Sequence, residues 1–292
     1  MKTMLNLNSN LIQSQLKRFI NSALEEDIGR GDISAKACLD ARKDSQAQLL
    51  LKEDGVIAGI ALAKLIFHTH DSRIHFNSFA EDGQHLAAGT VLFKINGPES
   101  SILSAERVVL NCLQRMSGIA TLTAEVQNKI SHTGCKVLDT RKTTPNFRIA
   151  EKWAVQIGGG TNHRMGLYDM VMLKDNHIDY CGSIHVAIQK TLAYLKNNTI
   201  KVPIVVETRN MDEVKACLNY SDAIDRILLD NMSVDDLKTA VDLIANQVQT
   251  EASGGINTNN VIEIAETGVN FISMGSVIYD AKVLDMSLKA IS

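Results

Sequence analysis

A cluster of cations falls within one short stretch of this chain. Arg141, Lys142, Arg148, Lys152, Arg164 and Lys174 all lie between Lys136 and Ile178, on a protein whose formal net charge is −3. Guanidinium forks and ammonium point charges are the groups that grip carboxylates and phosphates. Concentrated locally on a slightly acidic chain, they point to a focused, substrate-sized anion site and away from a surface for polyanions. Asp139 and Asp175 flank these cations and are expected to hold them in place. The triple glycine Gly158–Gly160 is expected to turn the chain beneath Asn162-His163-Arg164.

Such residues need rigid elements to aim them. From Val137 onward, strand-like apolar runs (Lys136–Thr140, Met170–Lys174, Pro203–Thr208, Arg226–Asp230, Thr250–Ser253 and Phe271–Gly275) alternate with amphipathic helical stretches. Asn210, Ser233 and Asn257 stand where helix N-caps belong. Regular β-then-α alternation implies parallel strands with crossover helices, left as an open sheet or closed into a barrel. The residues at the carboxyl ends of these runs favour the barrel. In order they are Arg141-Lys142, Lys174, Glu207, Asp230-Asn231, Ser253-Gly254-Gly255 and Gly275-Ser276. In β/α barrels the active site gathers at that rim. Glu207 and Asp230 are then candidate ligands for a hard cation such as Mg2+. SGGI and MGS match a phosphate pocket in which backbone N–H groups approach oxygens freely. The implied ligands are a phosphorylated sugar with Mg2+ and a second anionic partner.

The first part of the chain follows another pattern. Residues 11–26 read as a helix, Gln46–Lys52 as a strand, Gly59–His70 as a helix, and Ile74–Ile95 as strand-rich. A long helix, Ala105 to about Ser131, is expected to break near Ser117-Gly118. The fold class is therefore α/β: an α+β domain over residues 1–120, with the tail 280–292 packing against it, and a β/α catalytic domain over 121–279. No apolar run reaches the roughly 18 residues of a membrane span, and no signal-peptide pattern opens the chain. The five cysteines (Cys38, Cys112, Cys135, Cys181, Cys217) are scattered and never form a CxxC pair. They predict reduced thiols in a cytoplasmic protein, without structural zinc. With 4% aromatic residues, single-stranded nucleic acid is excluded as a ligand class. Arg30-Gly31-Asp32 is taken as a chance tripeptide. His177 and Cys181 are expected to be structural.

DTRKTTP, GGGTNHRMGLYDMVMLKDNH, LLDN and EASGGI together resemble the quinolinate phosphoribosyltransferase (decarboxylating) family, the nicotinate-nucleotide pyrophosphorylases of NAD biosynthesis. EEDIGRGDIS, DGVIAG and AERVVLNCLQRMSGIAT extend the likeness, in order, over nearly the whole chain. The resemblance implies an N-terminal α/β sandwich followed by an incomplete β/α barrel of the type II phosphoribosyltransferase kind. It implies a homodimer in which Arg107 enters the neighbouring subunit's site. Quinolinate would be held by Arg141, His163, Arg164 and Lys174, together with Arg107. Phosphoribosyl pyrophosphate and Mg2+ would fall to Lys142, Glu207, Asp230, Ser253, Gly254, Gly255, Gly275 and Ser276, and Thr140 would also bind substrate. Lys142, Glu207 and Asp230 would serve the chemistry, and Glu207 and Asp230 the metal. Two positions depart from the family pattern. Arg209 stands where a second acidic residue is common, which bears on the metal shell. Asn146 replaces a common glycine after Pro145, a change that asparagine's tolerance of left-handed backbone makes mild.

Overall fold

The computed structural model describes residues 9–40 and 43–291. The amino-terminal elements are α1 (Asn10–Ile28), α2 (Ile33–Cys38), β1 (Asp44–Leu51), β2 (Gly55–Val56), α3 (Ile60–His70), β3 (His75–Ser78), β4 (His85–Leu86), β5 (Val91–Pro98) and α4 (Glu99–Lys129). The alternating part follows with β6 (Lys136–Leu138), α5 (Arg148–Ile157), β7 (Val171–Leu173), α6 (Asp175–Cys181), α7 (Ile184–Asn197), β8 (Ile204–Thr208) and α8 (Met211–Leu218). The chain continues with β9 (Arg226–Asp230), α9 (Val234–Ile244), β10 (Gln249–Ser253), α10 (Val261–Ala265), β11 (Phe271–Ser273), α11 (Ser276–Tyr279) and β12 (Met286–Ile291). These elements divide into two compact units. Of the described residues, one gathers those up to Ala124, Lys142–Gly160 and those from Val277 onward; the other holds Glu125–Arg141 and Thr161–Ser276.

The first unit is built on an antiparallel sheet in the order β12-β1-β5-β3. Its apolar centre includes Phe67, Phe76 and Phe93, with ring centroids 4.3–6.3 Å apart. Helix α1 buries Ile12, Leu16, Ile20 and Leu24, a four-residue spacing that lays one stripe along the core. Helix α3 is capped from a distance. Asp82, on the turn before β4, accepts from Gly59 N at 2.7 Å and Ile60 N at 2.8 Å. Asp32 of the tripeptide Arg30-Gly31-Asp32 is a cap as well, accepting from Ala35 N at 2.9 Å.

Helix α4 differs from expectation: it runs without a break through Ser117-Gly118. A β-carbon on Gly118 would lie 1.7 Å from the Lys282 carbonyl oxygen. The glycine is there for close backbone approach, not to end the helix. Ser117 turns its hydroxyl to the Ala58 backbone, accepting from its N–H at 2.9 Å. Strand β12, which the sequence pattern did not announce, pairs antiparallel with β1 from Gln46↔Ile291 to Leu51↔Met286.

The second unit is an incomplete β/α barrel. Its six parallel strands run in the order β6-β11-β10-β9-β8-β7, with β6 and β7 as edges, and a single bridge from Leu138 to Thr161 extends β6. Asn210 caps α8 and Ser233 caps α9, as their positions foretell. Asn257 instead closes a turn onto Asn259 N at 2.9 Å, and α10 starts later, at Val261.

Candidate active site at the strand ends

Side chains alternate across a β-strand, so residues two apart share a face. Met170 and Met172, at the head of β7 and within it, pack with Val205 of β8 and Leu228 of β9. Continuing along the same parity, β7 leads to Lys174, β8 to Glu207 and β9 to Asp230. The arithmetic of the strand thus carries one buried apolar cluster into one set of ionisable groups. Lys174 Nζ donates to Glu207 Oε2 at 3.0 Å, and the Asp175 backbone N–H reaches Glu207 Oε1 at 3.4 Å. Glu207 is buried. The Asp230 carboxyl is pushed up by burial and by the negative charge of neighbouring Glu207, against a hydrogen bond from Asn231. The carboxylates of Glu207, Asp230 and, less strongly, Asp175 therefore act on one another around the Lys174 ammonium. His177, expected to be structural, accepts from Lys174 N at 3.0 Å and fixes the start of α6.

A second group assembles beyond β6. Asp139 is fully buried and accepts from Asn162 Nδ2 at 2.7 Å and from His163 N at 2.8 Å. It ties the Asn162 side chain to the His163 backbone. His163 Nδ1 in turn accepts from Arg164 N at 2.8 Å. Arg164 is 8% exposed as a residue, and its guanidinium donates to the Met170 carbonyl at 3.4 Å. Burial and the nearby positive charge of Arg141 both lower its proton affinity, partly offset by Asp169. Two guanidiniums held within reach of one another make a site suited to more than one negative charge. Asp169 also accepts from Met165 N at 2.7 Å and Gly166 N at 2.9 Å, closing the loop after Arg164.

The glycine-bearing ends complete the rim. Gly254 has φ +98°, and a β-carbon there would lie 2.1 Å from Asn231 Oδ1. Only glycine lets this loop close against the Asn231 side chain. Asn231 N donates to Ser253 O at 2.8 Å and its Nδ2 to Asp230 Oδ2 at 2.7 Å, which ties the end of β9 to that of β10. Gly255, at φ +61°, has open space where a β-carbon would stand. After β11, Gly275 is followed by Ser276, whose buried hydroxyl has no hydrogen-bond partner among the described residues. An orphaned buried hydroxyl is a place for a hydrogen-bonding ligand.

The structure brings Lys174, Glu207 and Asp230 together, and Arg141 with Arg164, all in one unit with Thr140, His163, Ser253, Gly254, Gly255, Gly275 and Ser276. Lys142 and Arg107, both exposed, belong to the other unit; Arg107 stands on α4. Arg209 donates to Glu213 Oε1 at 3.0 Å through Nε and to Asp179 Oδ2 at 3.1 Å, so its guanidinium is engaged by α8 and α6. Asn146 takes the left-handed conformation at φ +63°. Sequence reasoning passed over Glu251, a fully buried carboxylate on β10. A carboxylate in the middle of a short strand was the signal, two residues before Ser253 and on its face. Gly158 and Gly160 pack where β-carbons would meet Ala120 O at 2.4 Å and Thr123 Cγ2 at 2.8 Å, which makes them turn and packing residues.

Residues 32–117 match the family model for the quinolinate phosphoribosyl transferase N-terminal domain, and residues 119–289 the model for its C-terminal domain. A tobacco (Nicotiana tabacum) protein named quinolinate phosphoribosyltransferase [decarboxylating] 2b, mitochondrial, is 44% identical over 94% of this chain and 82% of its own length. A Bacillus subtilis protein named probable nicotinate-nucleotide pyrophosphorylase [carboxylating] is 38% identical over 94% of this chain and 93% of its own. Among solved structures, NadC from Streptococcus pyogenes superposes with a TM-score of 0.89 at 36% identity, covering 98% of this chain and all of that one.

Proposed function

The chain belongs to the quinolinate phosphoribosyltransferase family, and from that premise we propose that it transfers the phosphoribosyl group of phosphoribosyl pyrophosphate to quinolinate with decarboxylation. The products are nicotinate mononucleotide, pyrophosphate and CO2, a step of NAD biosynthesis. One observation carries the site assignment: the Arg141–Arg164 cation pair and the Lys174–Glu207–Asp230 group stand at the carboxyl ends of one sheet.

The reaction brings two polyanions together, and that repulsion must be offset before any bond changes. We assign the two carboxylates of quinolinate to Arg141, Arg164 and Lys174, joined by the partner subunit's Arg107. His163 belongs to this set through Arg164, whose backbone N–H it accepts. We assign the sugar phosphate to Thr140, Ser253, Gly254, Gly255, Gly275 and Ser276, and the pyrophosphate to Lys142. The pyridine nitrogen attacks the anomeric carbon as pyrophosphate leaves, and positive charge builds on the ribose. Glu207 and Asp230, with their crowded negative charge, suit that developing charge and the ribose hydroxyls. As CO2 departs, the electron pair of the broken bond stays at the 2-position, stabilised by the adjacent pyridinium charge, and a proton taken up there completes nicotinate mononucleotide. No protein nucleophile is needed; the chain's contribution is orientation and exclusion of water.

The donor chemistry at Glu207 and Asp230 also fits Mg2+. These are hard oxygen ligands whose mutual repulsion a divalent cation would relieve. Among the described residues no cluster of three or more His, Cys, Asp or Glu is placed to hold a metal, so substrate oxygens and water would complete the shell. When bound, Mg2+ would neutralise charge on the departing pyrophosphate.

We further place the protein in the cytoplasm as a homodimer. None of its five cysteines is in a disulfide, and burial pushes the Cys112, Cys135 and Cys217 thiols up to about 12. Among the described residues no helix is long and apolar enough to cross a membrane. Mixing inactive Arg107→Ala and Arg141→Ala subunits should restore activity if the site is shared. No recovery despite proven subunit exchange removes the shared site.

The deciding experiment incubates the protein with quinolinate, phosphoribosyl pyrophosphate and Mg2+, following nicotinate mononucleotide and CO2 together, with nicotinate as a parallel substrate. Both products from quinolinate and none from nicotinate is the expected result. Turnover of nicotinate alone would reassign the cationic pocket, and silence with both from folded protein would overturn the reading.

A further inference from the structure

Beneath the strand ends lies a charged network that the reaction as assigned above does not use. Glu251 of β10 is fully buried. Its Oε2 accepts from Arg226 Nη1 at 2.8 Å, and its Oε1 accepts from the Ser273 hydroxyl. Arg226 lies over the Phe271 ring, 4.1 Å from its centroid. The same Oε2 faces His163 Nε2 at 3.3 Å. On the other side of that ring, Nδ1 accepts the Arg164 backbone N–H at 2.8 Å. A ring nitrogen that accepts carries no proton, so the imidazole proton is placed on Nε2, the nitrogen nearer Glu251. Both ring nitrogens therefore face protein groups. That leaves Arg164, next along the chain and within reach of Arg141's charge, as the group turned to the anion.

We propose that Glu251 is a positioning residue for this transferase: it fixes the orientation and tautomer of His163, and His163 in turn anchors the backbone from which Arg164 reaches the substrate. The chain of support runs Arg226 and Ser273 to Glu251, Glu251 to His163, and His163 to Arg164. It assigns His163 to orientation instead of direct ligation of a carboxylate. The proposal rests on the quinolinate reading only where it names the anion; the network itself is independent of any substrate.

Two measurements test it. Side-chain 15N–1H spectra of His163 in the unliganded wild-type protein should show the Nε2-protonated tautomer alone near neutral pH. A ring protonated on Nδ1, or on both nitrogens, overturns the proposal. In kinetics, Glu251→Gln should raise KM for quinolinate by about tenfold, as expected when one charge-assisted contact is lost, with KM for phosphoribosyl pyrophosphate little changed. An equal rise in both, or none in either, overturns it. Should that variant fail to fold, His163→Asn and His163→Gln decide the matter. Asparagine places an acceptor where Nδ1 stood, so it should retain more activity than glutamine; equal loss in the two overturns the proposal. If the wild type turns over no quinolinate at all, the functional reading falls while the spectrum still reports on the network.

Discussion

One face of the parallel sheet is built in two ways. Across β7, β8 and β9 it carries Met170, Met172, Val205 and Leu228 and closes by apolar packing. Across β9, β10 and β11 it carries Arg226, Glu251 and Ser273, joined by an ion pair and a hydroxyl, with Phe271 under the guanidinium. Apolar burial is stronger per unit cost and non-directional. A buried ion pair spends most of its attraction on desolvation, so stability alone does not explain the second construction. What it supplies is direction. The apolar half only has to raise Lys174, Glu207 and Asp230 to the rim, which strand parity already does. The charged half supports His163 and Arg164, which stand beyond any strand and need oriented contacts to be aimed.

The contrast can be broken most severely on the charged side. Arg226→Ala would strand Glu251 as an uncompensated buried charge and should cost about 3–5 kcal/mol of stability, read as a fall in the denaturant midpoint. Leu228→Ala, on the apolar side, should cost about 2–4 kcal/mol through lost packing and a cavity. It should leave the His163 tautomer as in wild type, whereas Arg226→Ala should not.

Acid separates the halves next. Burial pushes the Glu251 carboxyl up, but His163, Arg226 and Ser273 outweigh this and leave it at about 2, below its ordinary 4.5. A carboxylate depressed on folding contributes stability that is complete above pH 4.5 and fades as pH falls toward about 2. Denaturation followed across that window should show this loss in wild type and a flatter profile in Glu251→Gln. Gly254→Ala probes the rim alone. Its left-handed backbone and the Asn231 contact imply strain of about 1–3 kcal/mol, and KM for phosphoribosyl pyrophosphate should rise more than that for quinolinate. Arg209→Ala should do least. Its ion pairs with Glu213 and Asp179 are surface contacts, so the thermal midpoint should hardly move and the Mg2+ requirement should be unchanged.

Legibility in the sequence followed the range of the interaction. The β8 and β9 runs and the caps at Asn210 and Ser233 were readable because alternation and capping are local. The break expected at Ser117-Gly118 failed because that glycine answers to Lys282, far along the chain. Strand β12 was missed for the same reason: its partner is β1. The remote cap on α3 by Asp82 was equally invisible.

By itself, the sequence determined which chemical groups stand at each strand end, since side-chain parity and the placement of strand termini are properties of a few consecutive residues. Tertiary structure decided how those groups meet. It set Lys174 on Glu207, Arg141 beside Arg164, and Glu251 under His163, because each of these contacts joins residues whose separation in the chain only the assembled sheet removes.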